Sequence, residues 1–263
     1  MHSYLLTIAY DGTGYFGWQR QAGFDTVQER VETAAATIVG EPIVAHGAGR
    51  TDTGVHALRQ CAHVRLPERR SPGELLRALN GNLPPDIAVS AVREVPASFH
   101  ARFSARGKRY VYRIIESRVR PVMGRGYHCW VRRPLDHAAM RVAARALVGR
   151  HDFAAFASNA RHKSVPSRRT TVRTIHHLHL VRRPHGLDVA VQGDGFLYNM
   201  VRTIAGTLRD VGQGKMTPER VGEVLRSRDR RAAGPTAEAG GLYLVRILYP
   251  RSALDPTATE GHA

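Results

Sequence analysis

The chain has only two cysteines, Cys61 and Cys129, among its 263 residues. Their spacing fits neither a zinc site nor a disulfide framework. The sequence also lacks any long apolar run or basic amphipathic helix, so membrane binding is not expected. No basic-then-apolar leader precedes the first strand-like segment at 4–10, and this predicts a cytoplasmic protein.

Acidic residues are scarce relative to basic ones. There are 22 Asp and Glu against 39 Lys and Arg, which gives a formal net charge of +17. The hydrophobic content of 43% is ordinary for a globular protein, so the charge does not indicate disorder. Such an excess creates a positive field that attracts polyanions, and nucleic acid is the most common partner of that kind.

Hydrophobic periodicity predicts an α+β protein. The first half follows the order β-α-β-β-α-β, which is typical of a largely antiparallel sheet. Capping residues predict four helix starts, at Thr26, Ser71, Asp136 and Thr217. Strands are expected at 42–46, 60–66, from 87, 108–115, 170–182, 186–193 and from 240. A further helix is expected up to Gly212, with an apolar stripe formed by Leu197, Met200, Val201, Ile204 and Leu208.

One stretch, residues 48–57, concentrates chemically useful side chains and reads Ala-Gly-Arg-Thr-Asp-Thr-Gly-Val-His-Ala. Glycines on both sides of Asp52 permit a tight loop that presents the carboxylate outward. Arg50 lies two residues earlier, so on an extended segment the two side chains face the same side. A nearby arginine keeps a carboxylate ionised, which suits a nucleophile. The alternative is a surface turn in which Asp52 merely caps a neighbouring amide.

Two other chemistries are disfavoured. Asp-Thr-Gly also surrounds the carboxylate of aspartic proteases, but these enzymes share one proton between two aspartates. The sequence has no second such triplet, and Arg50 would disturb the shared proton. An aspartic protease would therefore require a symmetric dimer of this chain. His176, His177 and His179 suggest a metal site, yet no cysteine or carboxylate lies at ligand spacing. Strand alternation places His177 and His179 on one face and His176 on the other.

Residues 49–57 resemble the signature of the tRNA pseudouridine synthase A (TruA) family, which usually reads Gly-Arg-Thr-Asp-Ala-Gly-Val-His-Ala, so that Thr53 is a departure. Other segments are similar in the same order along the chain. They are Tyr-Asp-Gly…Gly-Trp-Gln-Arg-Gln at 10–21, Phe-His-Ala-Arg-Phe-Ser-Ala…Arg-Tyr-Val-Tyr at 99–112, Phe-x-x-x-Met-Val-Arg at 196–202 and Gly-Leu-Tyr-Leu at 241–244. The resemblance covers roughly residues 4–249.

The resemblance implies an isomerase that converts uridine to pseudouridine at positions 38, 39 and/or 40 of the tRNA anticodon stem-loop. It implies that Asp52 is the nucleophile, that Tyr110 lies against the target base and that Arg202 pairs with the catalytic aspartate. Arg50 is expected to support the extruded base together with Tyr110. The family uses no metal and no organic cofactor, and it works as a homodimer with tRNA across both subunits.

The fold that the resemblance implies consists of two similar α+β halves, RNA-binding-like units at 1–105 and 106–250. They are expected to form one extended, mostly antiparallel sheet flanked by helices, with the active-site cleft between them. A basic loop at 151–171 is predicted to contact tRNA, and 251–263 are predicted to be a disordered tail. The alternative function is a non-catalytic RNA-binding protein on the same scaffold. Such a protein would not need Asp52, Tyr110 and Arg202, and all three are present.

Overall fold

A computed structural model describes residues 1–158 and 170–256, and over these residues the chain forms ten β-strands and five α-helices. The strands are β1 (His2–Tyr10), β2 (His46–Gly47), β3 (His56–Leu66), β4 (Ile87–Val95), β5 (Gly107–Glu116), β6 (Cys129–Val131), β7 (Gly149–Asp152), β8 (Val172–Arg183), β9 (Gly186–Gly193) and β10 (Leu242–Leu248). The helices are α1 (Val27–Val39), α2 (Pro72–Asn82), α3 (His137–Arg145), α4 (Met200–Gly212) and α5 (Pro218–Ser227). Strand pairing is mixed but mostly antiparallel, so the predicted α+β class is confirmed.

The chain divides into two compact units. The first contains Met1–Lys108 and the chain from Tyr243 onward, and the second contains Arg109–Leu242. The first unit therefore includes most of β10, whereas the halves expected from the resemblance assign that strand to 106–250. No helix among the described residues is both long and apolar enough to cross a membrane.

The first unit is built on the strand order β4-β1-β3-β10, with β2 paired to β3. β1 runs antiparallel to both β3 and β4, and β10 runs parallel to β3. The parallel pairing is short and aligns Tyr243 with His56 and Leu244 with Ala57. It therefore fixes the point at which the 48–57 stretch enters β3.

The second unit has the strand order β5-β9-β8-β7, with the short β6 parallel to β5. α4 is buried along most of its length, and Ile204 and Leu208 have no exposed surface. α4 packs closely against α3. There is no room for a side chain at Gly212, where a Cβ would come within 2.6 Å of the sulfur of Met140. This packing anchors the helix that carries Arg202.

The four predicted helix caps are confirmed. In each case the side-chain oxygen accepts a hydrogen bond from a backbone N–H in the first turn, which satisfies a donor that the helix cannot. The pairs are Thr26 with Glu29, Ser71 with Glu74, Asp136 with Ala138 and Ala139, and Thr217 with Arg220.

The prediction of a strand at 42–46 is wrong, because β2 covers only His46–Gly47. The backbone of Ala45 hydrogen-bonds to side chains of α1 instead of to a strand. Its N–H donates to Glu32 Oε1 over 3.0 Å, and its carbonyl accepts from Gln28 Nε2 over 3.1 Å. Alternating burial at 42–46 therefore arises from packing against a helix.

Three other boundaries differ from expectation. α4 begins at Met200, so Leu197 lies in the preceding turn and is only half-buried. β7 lies partly within the predicted basic loop 151–171, whose residues 159–169 are outside the described part of the chain. Arg251–Leu254 form a short 3-10 helix where a disordered tail is predicted, and 257–263 are also outside the described residues.

Candidate active site

The loop that carries Asp52 is held against the 10–21 segment by close backbone contacts. A Cβ on Gly12 would overlap the carbonyl oxygen of Val55. Gly17 has a positive φ of 82°, and its Cβ would lie 2.5 Å from the carbonyl oxygen of Thr51. The backbone N–H of Trp18 donates to the same Thr51 oxygen over 3.1 Å. Only glycine allows this approach at both points, so the two segments fix each other's conformation.

Hydrogen bonds to buried side chains complete the support of the loop. The Tyr10 hydroxyl lies 2.8 Å from Thr51 Oγ1, directly beside Asp52. Burial raises the pKa of Tyr10 well above its usual range, so this hydroxyl stays neutral. On the far side of the turn, the N–H of Gly12 donates to His56 Nδ1 over 3.0 Å, and the His56 ring stacks on Tyr243 with centroids 5.0 Å apart.

Asp52 occupies the first position of a turn in which its carbonyl accepts from the Val55 N–H over 3.1 Å. Gly54 takes a positive φ of 75° within this turn, as the predicted tight loop requires. Asp52 is half-buried and Arg50 is exposed, whereas Thr51 between them is buried. This alternation is what we expect if Arg50 and Asp52 face the same side, where solvent or substrate approaches.

Lys108 is a further charged residue beside this loop. A Cβ on Gly49 would lie 2.8 Å from Lys108 Nζ, so the absence of a side chain at Gly49 makes room for the ammonium group. Sequence reasoning did not assign Lys108 to the site. The signal that could have identified Lys108 is its position two residues before Tyr110, in a strand that alternates basic and aromatic residues.

In the second unit, Tyr110 lies on β5 with only 6% of its surface exposed. Its ring meets that of Phe196 edge-on, with centroids 5.1 Å apart. Phe196 belongs to the turn that leads into α4, so this contact ties Tyr110 to the segment preceding Arg202. Tyr112, two positions further along β5, is also buried, as expected for two residues on the same face of a strand.

Arg202 lies in the first turn of α4 and is half-buried. Its Nε donates to the carbonyl of Ala237 over 2.7 Å, and its Nη1 donates to Asn199 Oδ1 over 3.0 Å. Asn199 is the N-cap and takes a left-handed φ of 60°, while its amide nitrogen donates to Ser158 Oγ. The guanidinium is therefore oriented by the first turn of the helix and by the segment at 235–238. The pairing of Arg202 with Asp52 stays a prediction.

Other sequence expectations have simpler outcomes. His177 and His179 stack with centroids 5.7 Å apart, as alternation predicts. Within 1–158 and 170–256 no group of three His, Cys, Asp or Glu side chains is placed to hold a metal ion. Cys61 and Cys129 are buried free thiols, and burial raises the pKa of Cys61 to about 11, which makes it unreactive at neutral pH.

A rigid loop that presents a half-buried carboxylate suits an enzyme that uses aspartate as a nucleophile. The family model described as tRNA pseudouridine synthase matches residues 6–104 and 143–250. The chain therefore belongs to the tRNA pseudouridine synthase family, whose members are isomerases.

Individual relatives agree with this assignment. The tRNA pseudouridine synthase A of Allorhizobium ampelinum is 43% identical over 253 residues, covering 95% of this chain and 96% of its own. The protein of the same description from Rhodospirillum rubrum is 42% identical, covering 97% and 91%. That from Aeromonas hydrophila is 44% identical, covering 93% and 89%.

Similarity to solved structures is much weaker. A chain of the structure titled "Crystal Structure of a Cbf5-Nop10-Gar1 Complex" aligns with 91% of this chain, which spans 57% of that chain, at a TM-score of 0.35 and 11% identity. A likeness at this level supports no conclusion.

Proposed function

We propose that this synthase converts uridine to pseudouridine at positions 38, 39 and/or 40 of the tRNA anticodon stem-loop, with Asp52 as the nucleophile. The observation that carries the proposal is the Asp52 loop. It retains the signature of the family and is fixed by backbone contacts from Gly12 and Gly17. A fixed carboxylate is what nucleophilic attack requires, because misplacement by about 1 Å can cost about a hundredfold in rate.

The reaction sets the tasks of the site. The C1′–N1 bond of uridine breaks and a C1′–C5 bond forms, while a proton leaves C5 and another is gained at N1. The exchange involves no net oxidation or reduction. The target base must first leave its stack, which costs a few kcal/mol and requires replacement contacts from the protein.

Asp52 must be an anion in order to attack, and cationic neighbours favour the charged form. Arg50 lies two residues before Asp52 in the same loop. Lys108 lies on β5, and its ammonium group contacts this loop at Gly49. We assign Arg202 the same role through the inferred pairing with Asp52, by resemblance to the family. Its bonds to Ala237 and Asn199 would orient the guanidinium for that task.

We assign Tyr110 to the target base. Its aromatic ring is suited to stack on an extruded uracil, and its hydroxyl is suited to take part in proton transfer at C5. The edge-on contact with Phe196 limits rotation of the ring. Arg50 is exposed and is assigned to support the extruded nucleotide.

Three further features belong to the proposal. A homodimer would present the basic surfaces of both subunits to one tRNA, and the net charge of +17 is suited to this. The basic residues at 159–169 would add to the tRNA contact. We also place the protein in the cytoplasm, where its proposed tRNA substrate is available.

The positions are tested with tRNA transcripts in which the uridine at 38, 39 or 40 is changed to cytidine, one at a time. Pseudouridine is then mapped by carbodiimide labelling and primer extension. We expect each change to remove modification at that position only and to leave no modification outside 38–40. A mapped product elsewhere in the tRNA would refute the assignment of positions while leaving the isomerase assignment intact.

A further inference from the structure

The first unit exposes an aromatic ring that the site described above does not use. Phe103 has 76% of its surface exposed. Its ring contacts that of His100, with centroids 4.3 Å apart and planes inclined by 36°. Arg102 is also exposed, and its guanidinium carbon lies 5.7 Å from the centre of the Phe103 ring. We call His100, Arg102 and Phe103 the Phe103 platform.

Backbone hydrogen bonds hold the platform in its outward orientation. The N–H of His100 donates to Ser104 Oγ over 3.1 Å, and the N–H of Ser104 donates back to the His100 carbonyl over 2.9 Å. Between them, the N–H of Arg102 donates to His100 Nδ1 over 3.1 Å. Residues 100–104 thus form a closed turn. A backbone fixed in this way loses little conformational entropy when a ligand binds to the turn.

Two more histidines underlie the turn. His63 is 1% exposed, accepts the N–H of Ala101 at Nδ1 over 3.1 Å, and lies 4.8 Å from the His100 ring. The His46 ring stacks on His63 at 4.9 Å. Burial lowers the pKa of His63 to about 4 and also lowers the pKa of His100. At neutral pH these two rings therefore supply an uncharged aromatic support.

The platform packs against β2, the short strand that leads into the 48–57 stretch. The His46 and His100 rings are 5.6 Å apart, and His46 precedes the 48–57 stretch by two residues. Gly47 follows His46 and packs against the Trp18 ring so closely that a Cβ there would overlap it. A ligand on the platform would therefore lie at the His46–His63 end of the β2–β3 pair, from which the chain runs on into the 48–57 stretch.

We propose that the Phe103 platform binds an unpaired nucleotide of the tRNA, with the Phe103 ring stacked on the base and Arg102 bound to an adjoining phosphate. Aromatic faces stack on any base, and guanidinium groups fork onto phosphate. A protein partner fits the platform less well, because a stable protein interface buries roughly 1,000 Å² or more and one ring with one arginine supplies far less. The proposal rests on the proposed function, since it takes tRNA as the ligand.

The test measures the affinity of an unmodified tRNA transcript by filter binding over a series of salt concentrations. Phe103→Ala is expected to weaken binding about tenfold without changing the salt dependence, because stacking releases no counterions. Arg102→Ala is expected to weaken binding and to lower the slope of log K against log salt by about one. Val142→Ala and Arg141→Ala remove an exposed apolar and an exposed basic side chain from α3, and both are expected to bind like wild type.

A second variant reports the stack itself. Phe103→Trp should keep wild-type affinity, and its added fluorescence should be quenched by tRNA beyond the signal of Trp18 and Trp130. If wild type binds tRNA but Phe103→Ala binds equally well, or if Phe103→Trp is not quenched, the platform assignment is overturned. If wild type itself does not bind tRNA, the proposed function is what fails.

Discussion

The loop that carries Asp52 and the helix start that carries Arg202 are held in different ways. The loop is fixed by missing side chains, since Gly12 and Gly17 let two backbones touch, and by neutral buried groups such as Tyr10. The helix start is fixed by one charged side chain, because Arg202 donates to Ala237 and Asn199. The tightly packed Asp52 loop has no room for an added methyl group. The helix start depends instead on the geometry with which the Arg202 guanidinium donates its hydrogen bonds.

The largest effect is expected from adding one methyl group to the 10–21 segment where it touches the Asp52 loop. In Gly12→Ala the new Cβ would overlap the Val55 carbonyl, so the backbone must move. Overpacking of this kind costs about 1–3 kcal/mol of unfolding free energy, and displacement of Asp52 should lower kcat by about tenfold or more. Thermal unfolding and the rate of pseudouridine formation measure the two consequences.

Gly14→Ala is the matched control for that experiment. It lies in the same 10–21 segment, but a Cβ there would meet nothing within 4 Å. We expect near-wild-type stability and activity. If Gly12→Ala and Gly14→Ala have the same stability and activity, close backbone contact at Gly12 does not fix the Asp52 loop. The contrast with the helix start that carries Arg202 would then be wrong.

A smaller effect is expected at the helix start. Arg202→Lys keeps the positive charge, but its single ammonium group cannot donate to Ala237 and Asn199 with the geometry of the guanidinium. The loss of one hydrogen bond to a half-buried group should lower stability by about 1–2 kcal/mol, and the proposed role of Arg202 predicts a fall in kcat as well. Denaturant unfolding and single-turnover kinetics report the two effects separately.

Arg220→Lys is the comparison for Arg202→Lys, since Arg220 is an exposed residue of α5 paired with Glu223. Surface pairs of this kind contribute roughly 0–1 kcal/mol, so little change is expected. Equal effects at the two positions would show that Arg202 is an ordinary surface arginine.

A further effect, similar in size to that at Arg202, concerns the neutral groups of the first unit. Burial, together with the positive potential of His46, His100 and Arg65, lowers the pKa of His63 to about 4. In the unfolded chain histidine titrates near pH 6.5, so the neutral form stabilises the fold above that pH. This contribution is lost progressively as pH falls from 6.5 towards 4.

We expect wild type to lose about 1–2 kcal/mol more unfolding free energy than His63→Gln between pH 7 and pH 4. Chemical denaturation at a series of pH values measures the difference. His179→Gln removes an exposed histidine of β8 and should follow the wild-type profile. Parallel profiles for wild type and His63→Gln would contradict the assignment of a buried neutral ring.

Local signals predicted much of this molecule. The caps at Thr26, Ser71, Asp136 and Thr217 depend on residues three positions apart, and all four were predicted correctly. The turn that begins at Asp52 was predictable because it contains Gly54, which can adopt a positive φ. The family resemblance then identified the class of enzyme from a few short motifs.

Features that depend on distant partners were not predictable. The segment at 42–46 has the alternation of a strand, but its alternation comes from α1, whose Glu32 and Gln28 bind the Ala45 backbone. Nothing local to Arg202 indicates that its Nε binds a carbonyl 35 positions later. The position of Lys108 beside Gly49 likewise follows from tertiary packing alone.

The central claim is that this protein is an isomerase whose chemistry depends on Asp52. The most direct test is tritium release from tRNA labelled at uridine C5, for wild type and Asp52→Asn, with tRNA affinity measured in parallel. The account predicts release by wild type, none by Asp52→Asn, and nearly equal affinity. Release by Asp52→Asn at the wild-type rate, or no release by either protein despite tight tRNA binding, would contradict it, and the second result would favour a non-catalytic RNA-binding protein.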